Sequence, residues 1–157
     1  MRISAGLLPY RLRPISSQPT NIEVLIAHPG GPFFARKEVG AWSVVKGEIG
    51  PDEDARSTAL REFREETGWQ APTENWMELG SVRLRSGKNV TAWAVAAEFD
   101  PETLDPGVFR MMWRGRVQEF PEIDRVSWCS PEDAYRLLNP AQTPFLDRLV
   151  ERVAVPS

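Results

Sequence analysis

The chain has 157 residues, about the size of one domain, with a net charge of −3 and a single cysteine, Cys129. These numbers exclude an internal disulfide and argue against a protein that coats DNA or RNA, which would carry a basic excess. No apolar run approaches the roughly 20 residues of a membrane helix, and the opening nine residues are too short and too soon interrupted for a secretory leader. A single cytoplasmic domain over residues 1–157 is therefore expected.

Taken in chain order, Ser4 to Arg13 is mostly apolar and interrupted at Pro9 and Pro14. Residues 15–21 have the composition of a surface turn, and Ile22 to Ala27, rich in β-branched residues, reads as a strand. His28 to Phe34 is a Gly- and Pro-rich loop with two aromatics, and Ala41 to Val45 is a short strand-like run. Residues 53–67 lack Gly and Pro and form the clearest helix, with Asp52 as N-cap and Gly68 at the C′ position. Val90 to Phe99 alternates as a strand, residues 100–107 are a Pro-punctuated connection, and Val126 to Cys129 is a further short strand. Ser130 and Pro131 open a helix as N-cap and N1, and a last helix runs from about Thr143 to Val153. Strands and helices interleave, so the class is mixed α and β. Cys129, behind Trp128, reads as a small buried hydrophobe, and His28, the single histidine, as structural.

The helix at 53–67 carries an unusual acid pattern. At about 100° per residue, Ala55, Ala59, Phe63 and Leu60 form a core-facing stripe. Glu62, Glu65 and Glu66 share a sector roughly 100° wide at the margin of that stripe, not opposite it. A solvated acidic face is one reading, and Arg61 can pair with Glu65 at i,i+4. Yet Glu62 and Glu66 are a like-charged i,i+4 pair, which a hard divalent cation such as Mg²⁺, or Mn²⁺ in its place, would neutralise. Helix geometry alone leaves both readings open.

The residues upstream decide between them. Gly47, Glu53, Arg61, Glu62, Glu65, Glu66 and Gly68 stand at the spacing Gly, five residues, Glu, seven residues, Arg-Glu-apolar-x-Glu-Glu-x-Gly-apolar, with Phe63 and Trp69 in the apolar slots. A chance match is on the order of 10⁻⁹ per starting point. The chain thus resembles the Nudix hydrolases, and in particular a bacterial branch of nucleotide pyrophosphohydrolases. Two further segments extend the resemblance. Trp42 to Gly47 is similar to a Trp-x-x-Pro-Lys-Gly segment, with Val45 in place of proline. Glu122 to Trp128 is similar to a Glu-Phe-x-x-x-x-Trp segment of dinucleoside-polyphosphate and RNA-cap-removing members.

This resemblance implies an α/β/α sandwich with a mixed central sheet and a loop–helix–loop that holds Mg²⁺. It implies Glu65 and Glu66 as metal ligands, Glu62 as ligand or general base, and the Lys46 carbonyl as a further ligand. Glu122, with Glu119 as second candidate, would be the distant glutamate of the site. Glu53 would be held by Arg61 and would orient the ligands, while Gly47 and Gly68 would permit backbone conformations that a Cβ disfavours. Lys46, Arg36 and Lys37 are candidates for holding outer phosphates, although for Arg36 and Lys37 a solvated loop fits equally well. Phe33, Phe34 and Trp42 are candidates for stacking on a base, with packing the commoner use.

The implied reaction is hydrolysis of a pyrophosphate bond in a nucleotide. A dinucleoside polyphosphate or nucleoside triphosphate is favoured; ADP-ribose, oxidised nucleotides, capped RNA and diphosphoinositol phosphates stay open. The partner is then a small phosphorylated nucleotide, with no membrane and no nucleic acid beyond a capped RNA end. Oligomeric state, a homodimer included, is not fixed. The competing class is a non-catalytic nucleotide- or protein-binding module of the same fold, which loss of signature glutamates would betray; none is lost.

Overall fold

The computed structural model of the chain describes residues 3–15 and 18–154. Its frame is a mixed sheet in the order β4-β5-β1-β2-β8, with the short β3 paired to β1. β1 (Ile3–Ile15) lies at the centre and runs parallel to β5 (Asn89–Ala96). It runs antiparallel to β2 (Gln18–Pro29) and β3 (Val45–Glu48). β4 (Met77–Arg83) and β8 (Ile123–Cys129) form the two edges.

Alternation along β1 builds two cores. Ala5 and Leu7 point to the face covered by α1 (Ala55–Thr67), where they meet Ala59 and Phe63. Leu8 points to the opposite face, among Phe145, Leu146 and Leu149 of α3 (Thr143–Ala154) and Ala134 of α2 (Pro131–Leu137). The layering is the expected α/β/α sandwich. Among the described residues no helix is long and apolar enough to cross a membrane.

Several local readings change. Pro9 does not interrupt β1, because it sits where the strand changes partner: residues 4–7 face β3 and the pairing with β2 begins at Tyr10. A missing N–H is tolerated where no antiparallel neighbour is in register. The turn read at 15–21 narrows to the gap between β1 and β2; residues 16 and 17 lie outside the described residues. The strand expected at 41–45 shifts to Val45–Glu48, with Trp42 and Ser43 making only isolated bridges. The N-cap of α1 is Asp54, whose Oδ1 accepts from the Ser57 amide at 2.7 Å; Asp52 instead occupies a left-handed turn at φ 61°. Cys129 is buried as expected.

β4 and the hairpin of β6 (Val108–Trp113) and β7 (Arg116–Pro121) were not legible in the sequence. β4 is masked by a bulge around Gly80, at φ 73°, and the hairpin by arginines within its strands. The turn Arg114–Gly115, both at positive φ, was its available signal.

Phe63, in an apolar slot of the signature, is fully buried under Trp69 and Phe99, with centroids at 6.3 and 5.2 Å. Phe63→Ala is expected to cost about 3–5 kcal/mol, read as a lowered denaturant midpoint. A loss below about 1 kcal/mol would show that this core does not anchor α1.

Candidate active site

The acidic residues are placed by the turn that leads from β3 into α1. Gly47 lies on β3 directly beneath α1, and a Cβ built there would fall on the Glu62 carboxyl group. Gly47 is not among the residues with positive φ, so what it supplies is space and not backbone freedom; Gly68, at φ 80°, is the one that supplies the conformation. Glu53 is clamped between the turn and the helix. It accepts from the Gly50 amide at 3.0 Å, from Thr58 Oγ1 at 2.6 Å and from Arg61 through Nε at 2.7 Å and Nη2 at 2.8 Å. The Arg61 guanidinium, with Thr58 and the Gly50 amide, holds the Glu53 carboxyl down at about 2. Arg61 Nη1 also donates to Glu62 at 3.0 Å and Glu65 at 2.9 Å, so one guanidinium aligns three carboxylates.

The Glu122 carboxylate comes from far along the chain by a backbone relay. The Gly107 amide donates to the Glu65 carbonyl at 2.9 Å, and the Glu122 amide donates to the Gly107 carbonyl at 2.8 Å. This docks the junction of β7 and β8 on the last turn of α1. Glu62, Glu65, Glu66 and Glu122 then line an open cleft of about 520 Å³. Burial, then the charges of Glu62 and Glu122, push the Glu66 carboxyl up to about 9, against the opposing pull of Lys46. Glu66 Oε2 is buried without a hydrogen-bond partner among the described residues. Glu122 is also raised, by burial and then by Glu62 and Glu65.

The remaining sequence candidates divide. Lys46 lines the cleft, its ammonium destabilised by burial and by Lys88. Glu119 does not line the cleft: it is on β7 and pairs with Arg110 at 3.0 Å, whereas Glu122 does line it. Trp42 is only 4% exposed, held edge-on to His28 at 5.3 Å with the Arg125 guanidinium 5.2 Å from its centroid, so it offers no ring to a base. Arg36 and Lys37 are exposed on the loop after β2 and do not line the cleft. His28 is fully buried, with Nδ1 2.9 Å from Asp124 and Nε2 2.6 Å from the Lys37 carbonyl; it ties that loop to β8, a structural role. Sequence reasoning missed Ser4, Glu48, Lys88 and Gly107 in the cleft. Only pairing places them there: Ser4 is in register with Glu48, and Lys88 Nζ is 3.3 Å from Glu48.

The model of the NUDIX domain matches residues 19–152. A CTP pyrophosphohydrolase of Escherichia coli (strain K12) is 31% identical over 70% of this chain and 71% of that protein. This chain belongs to the Nudix family. Among solved structures, a C. elegans Ap4A hydrolase in a binary complex superposes with a TM-score of 0.66 at 22% identity, over 96% of this chain and 98% of the other. The E. coli ORF135 protein superposes with a TM-score of 0.58 at 26% identity, over 98% and 93%. The fold is thus the Nudix fold, and the chain is a Nudix pyrophosphohydrolase.

The cleft suits the divalent cation that the family implies. Its donors are carboxylate oxygens, the hard ligands such a cation selects. They crowd the C-terminal turn of α1, where the helix dipole disfavours anions, and one buried oxygen of Glu66 has no hydrogen-bond partner among the described residues. No three acidic, histidine or cysteine side chains among the described residues form a closed ligand group. The fit therefore lies in donor chemistry and not in a preformed coordination geometry. Because the Glu66 carboxyl is held near 9, it is protonated at pH 7. Mg²⁺ binding at that pH is expected to release about one proton, measurable by calorimetry in two buffers of different ionisation enthalpy. Release should vanish in Glu66→Gln; equal release from both proteins would assign the proton elsewhere.

Proposed function

We propose that residues 1–157 form one domain, a cytoplasmic Mg²⁺-dependent hydrolase that cleaves a pyrophosphate bond in a nucleoside triphosphate or dinucleoside polyphosphate. The observation that carries this reading is that Glu62, Glu65, Glu66 and Glu122 line one cleft beside Glu48, with a buried Glu66 oxygen that has no hydrogen-bond partner among the described residues. The CTP pyrophosphohydrolase relative supports a nucleotide substrate.

In this reading Glu65, Glu66 and Glu122, with Glu62 and the Lys46 carbonyl, would hold the metal; Mn²⁺ can take its place. When bound, the metal neutralises phosphate oxygens and acidifies a water. Glu62, seated over Gly47 and held by Arg61, accepts the proton of the attacking water. Water adds to one phosphorus, the bridging P–O bond breaks, and the departing phosphate carries away the bridging oxygen. The Lys46 ammonium offsets charge on an outer phosphate, and Glu53 keeps Arg61 aimed at Glu62 and Glu65.

The test is product chromatography after incubation with Mg²⁺ and a panel of nucleoside triphosphates, dinucleoside polyphosphates and ADP-ribose, with EDTA as control. Metal-dependent release of nucleotide products from one of the first two classes supports the assignment. Folded, metal-bound protein that binds these nucleotides without cleaving them would sink it in favour of a binding module.

A further inference from the structure

The glutamates account for the floor of the cleft but not for what rises from its rim. β6 and β7 stand off the main sheet as a two-stranded hairpin. Both of its ends are rooted in the cleft, since Val108 lines it and Glu122 follows β7. The loop at 30–37 is rooted at the same point, the Gly30 amide donating to the Glu122 carbonyl at 3.0 Å. Farther out the two segments meet ring to ring. Phe33 is edge-on to Trp113, centroids 5.6 Å apart, yet Phe33 stays 62% exposed.

Both segments also carry cations. The Arg114 guanidinium lies 6.0 Å from the Trp113 centroid and Lys37 Nζ 5.7 Å from the Phe34 centroid, with Arg116 and Arg36 in the same two segments. Nearby acids are already engaged, Glu119 by Arg110 and Glu38 by Arg125. No ion pair among the described residues involves Arg36, Lys37, Arg114 or Arg116. A chain of net charge −3 thus places four uncompensated cations and exposed rings on two touching segments beside its acidic cleft.

We propose that this rim is a second nucleoside-phosphate subsite, which holds the far end of a dinucleoside polyphosphate whose scissile phosphates lie at the glutamates. This deepens, and rests on, the hydrolase reading above. Exposed rings stack on any base, and guanidinium and ammonium groups bind phosphate. Trp113 is five residues along the strand from Val108, roughly 17 Å. That distance suits a ligand with a second base-bearing end, beyond the phosphates at the cleft.

The test compares kcat/KM for a dinucleoside tetraphosphate and for the matching nucleoside triphosphate, with Mg²⁺, in the wild type, Phe33→Ala and Arg114→Ala/Arg116→Ala. Thermal melting confirms that these surface variants stay folded. The dinucleoside substrate is expected to lose about tenfold or more, mostly in KM, and the triphosphate less than about twofold. Equilibrium binding of a methylene-bridged dinucleoside tetraphosphate, a readout independent of turnover, should show the same loss. Equal effects on both substrates, or none on either, overturn the subsite while leaving the hydrolase intact. A loss confined to a 5′-capped RNA oligonucleotide, or a change from dimer to monomer in sedimentation, overturns it in favour of RNA or a second copy. Absence of turnover in the wild type, with rim-dependent binding of the analogue, would retain the subsite and reject the hydrolase reading.

Discussion

Glu66→Gln is expected to lower kcat/KM by roughly 10²–10⁴-fold at saturating Mg²⁺ while leaving the protein folded. Glutamine keeps the shape of the side chain but can never carry the charge that a cation requires. Its effect on stability has a definite sign. The folded-state value near 9 lies above the ordinary carboxylate value, so between about 4.5 and 9 the native protein binds more protons than the unfolded chain. Stability of the metal-free wild type through this group therefore falls as pH rises across that window. The glutamine variant lacks this fall, so the two should melt together near pH 5 and the variant should melt higher at pH 9. Melting curves at both pH values in EDTA, with turnover assays alongside, check both parts. Near wild-type turnover would remove Glu66 from the mechanism, and parallel melting across the range would show that its proton is not held as argued.

Gly47→Ala is expected to lower kcat/KM by about 10²-fold with little change in melting temperature. The added Cβ would occupy the place of the Glu62 carboxyl group. That group is the far end of a flexible side chain, so it can move aside at small cost to folding. Moving aside breaks its contact with Arg61 Nη1 and misplaces the proton acceptor. The backbone is no obstacle, since Gly47 is not in the left-handed region. A variant of wild-type activity would show that Glu62 acts from another position. One that fails to fold would show that Gly47 is needed by the turn itself.

Much of the site was legible because it is local. Glu53, Arg61, Glu62, Glu65 and Glu66 lie on one turn and one helix, and helical periodicity sets the common sector of Glu62, Glu65 and Glu66 before any packing is known. Glu122 was placed only by analogy with another segment, with Glu119 as the second candidate. What separates them is the relay from Glu65 through Gly107 to Glu122, a set of backbone bonds between distant residues that no local pattern encodes. Trp42 misled for a related reason. An aromatic beside a signature reads as a stacking platform, but the ring is consumed by packing on His28 and beneath Arg125.

The family, the mixed α and β class and the helix that carries the acids were all legible in the amino-acid order. Each of these follows from residue type and short-range spacing. The packing of distant segments was needed to show that Glu122 and not Glu119 lines the cleft, that Ser4, Glu48 and Lys88 border it, and that Phe33 meets Trp113 at its rim. Those features depend on strand register and on how a hairpin docks. Both are settled by burial and hydrogen bonding between segments tens of residues apart, where one-dimensional pattern carries no information.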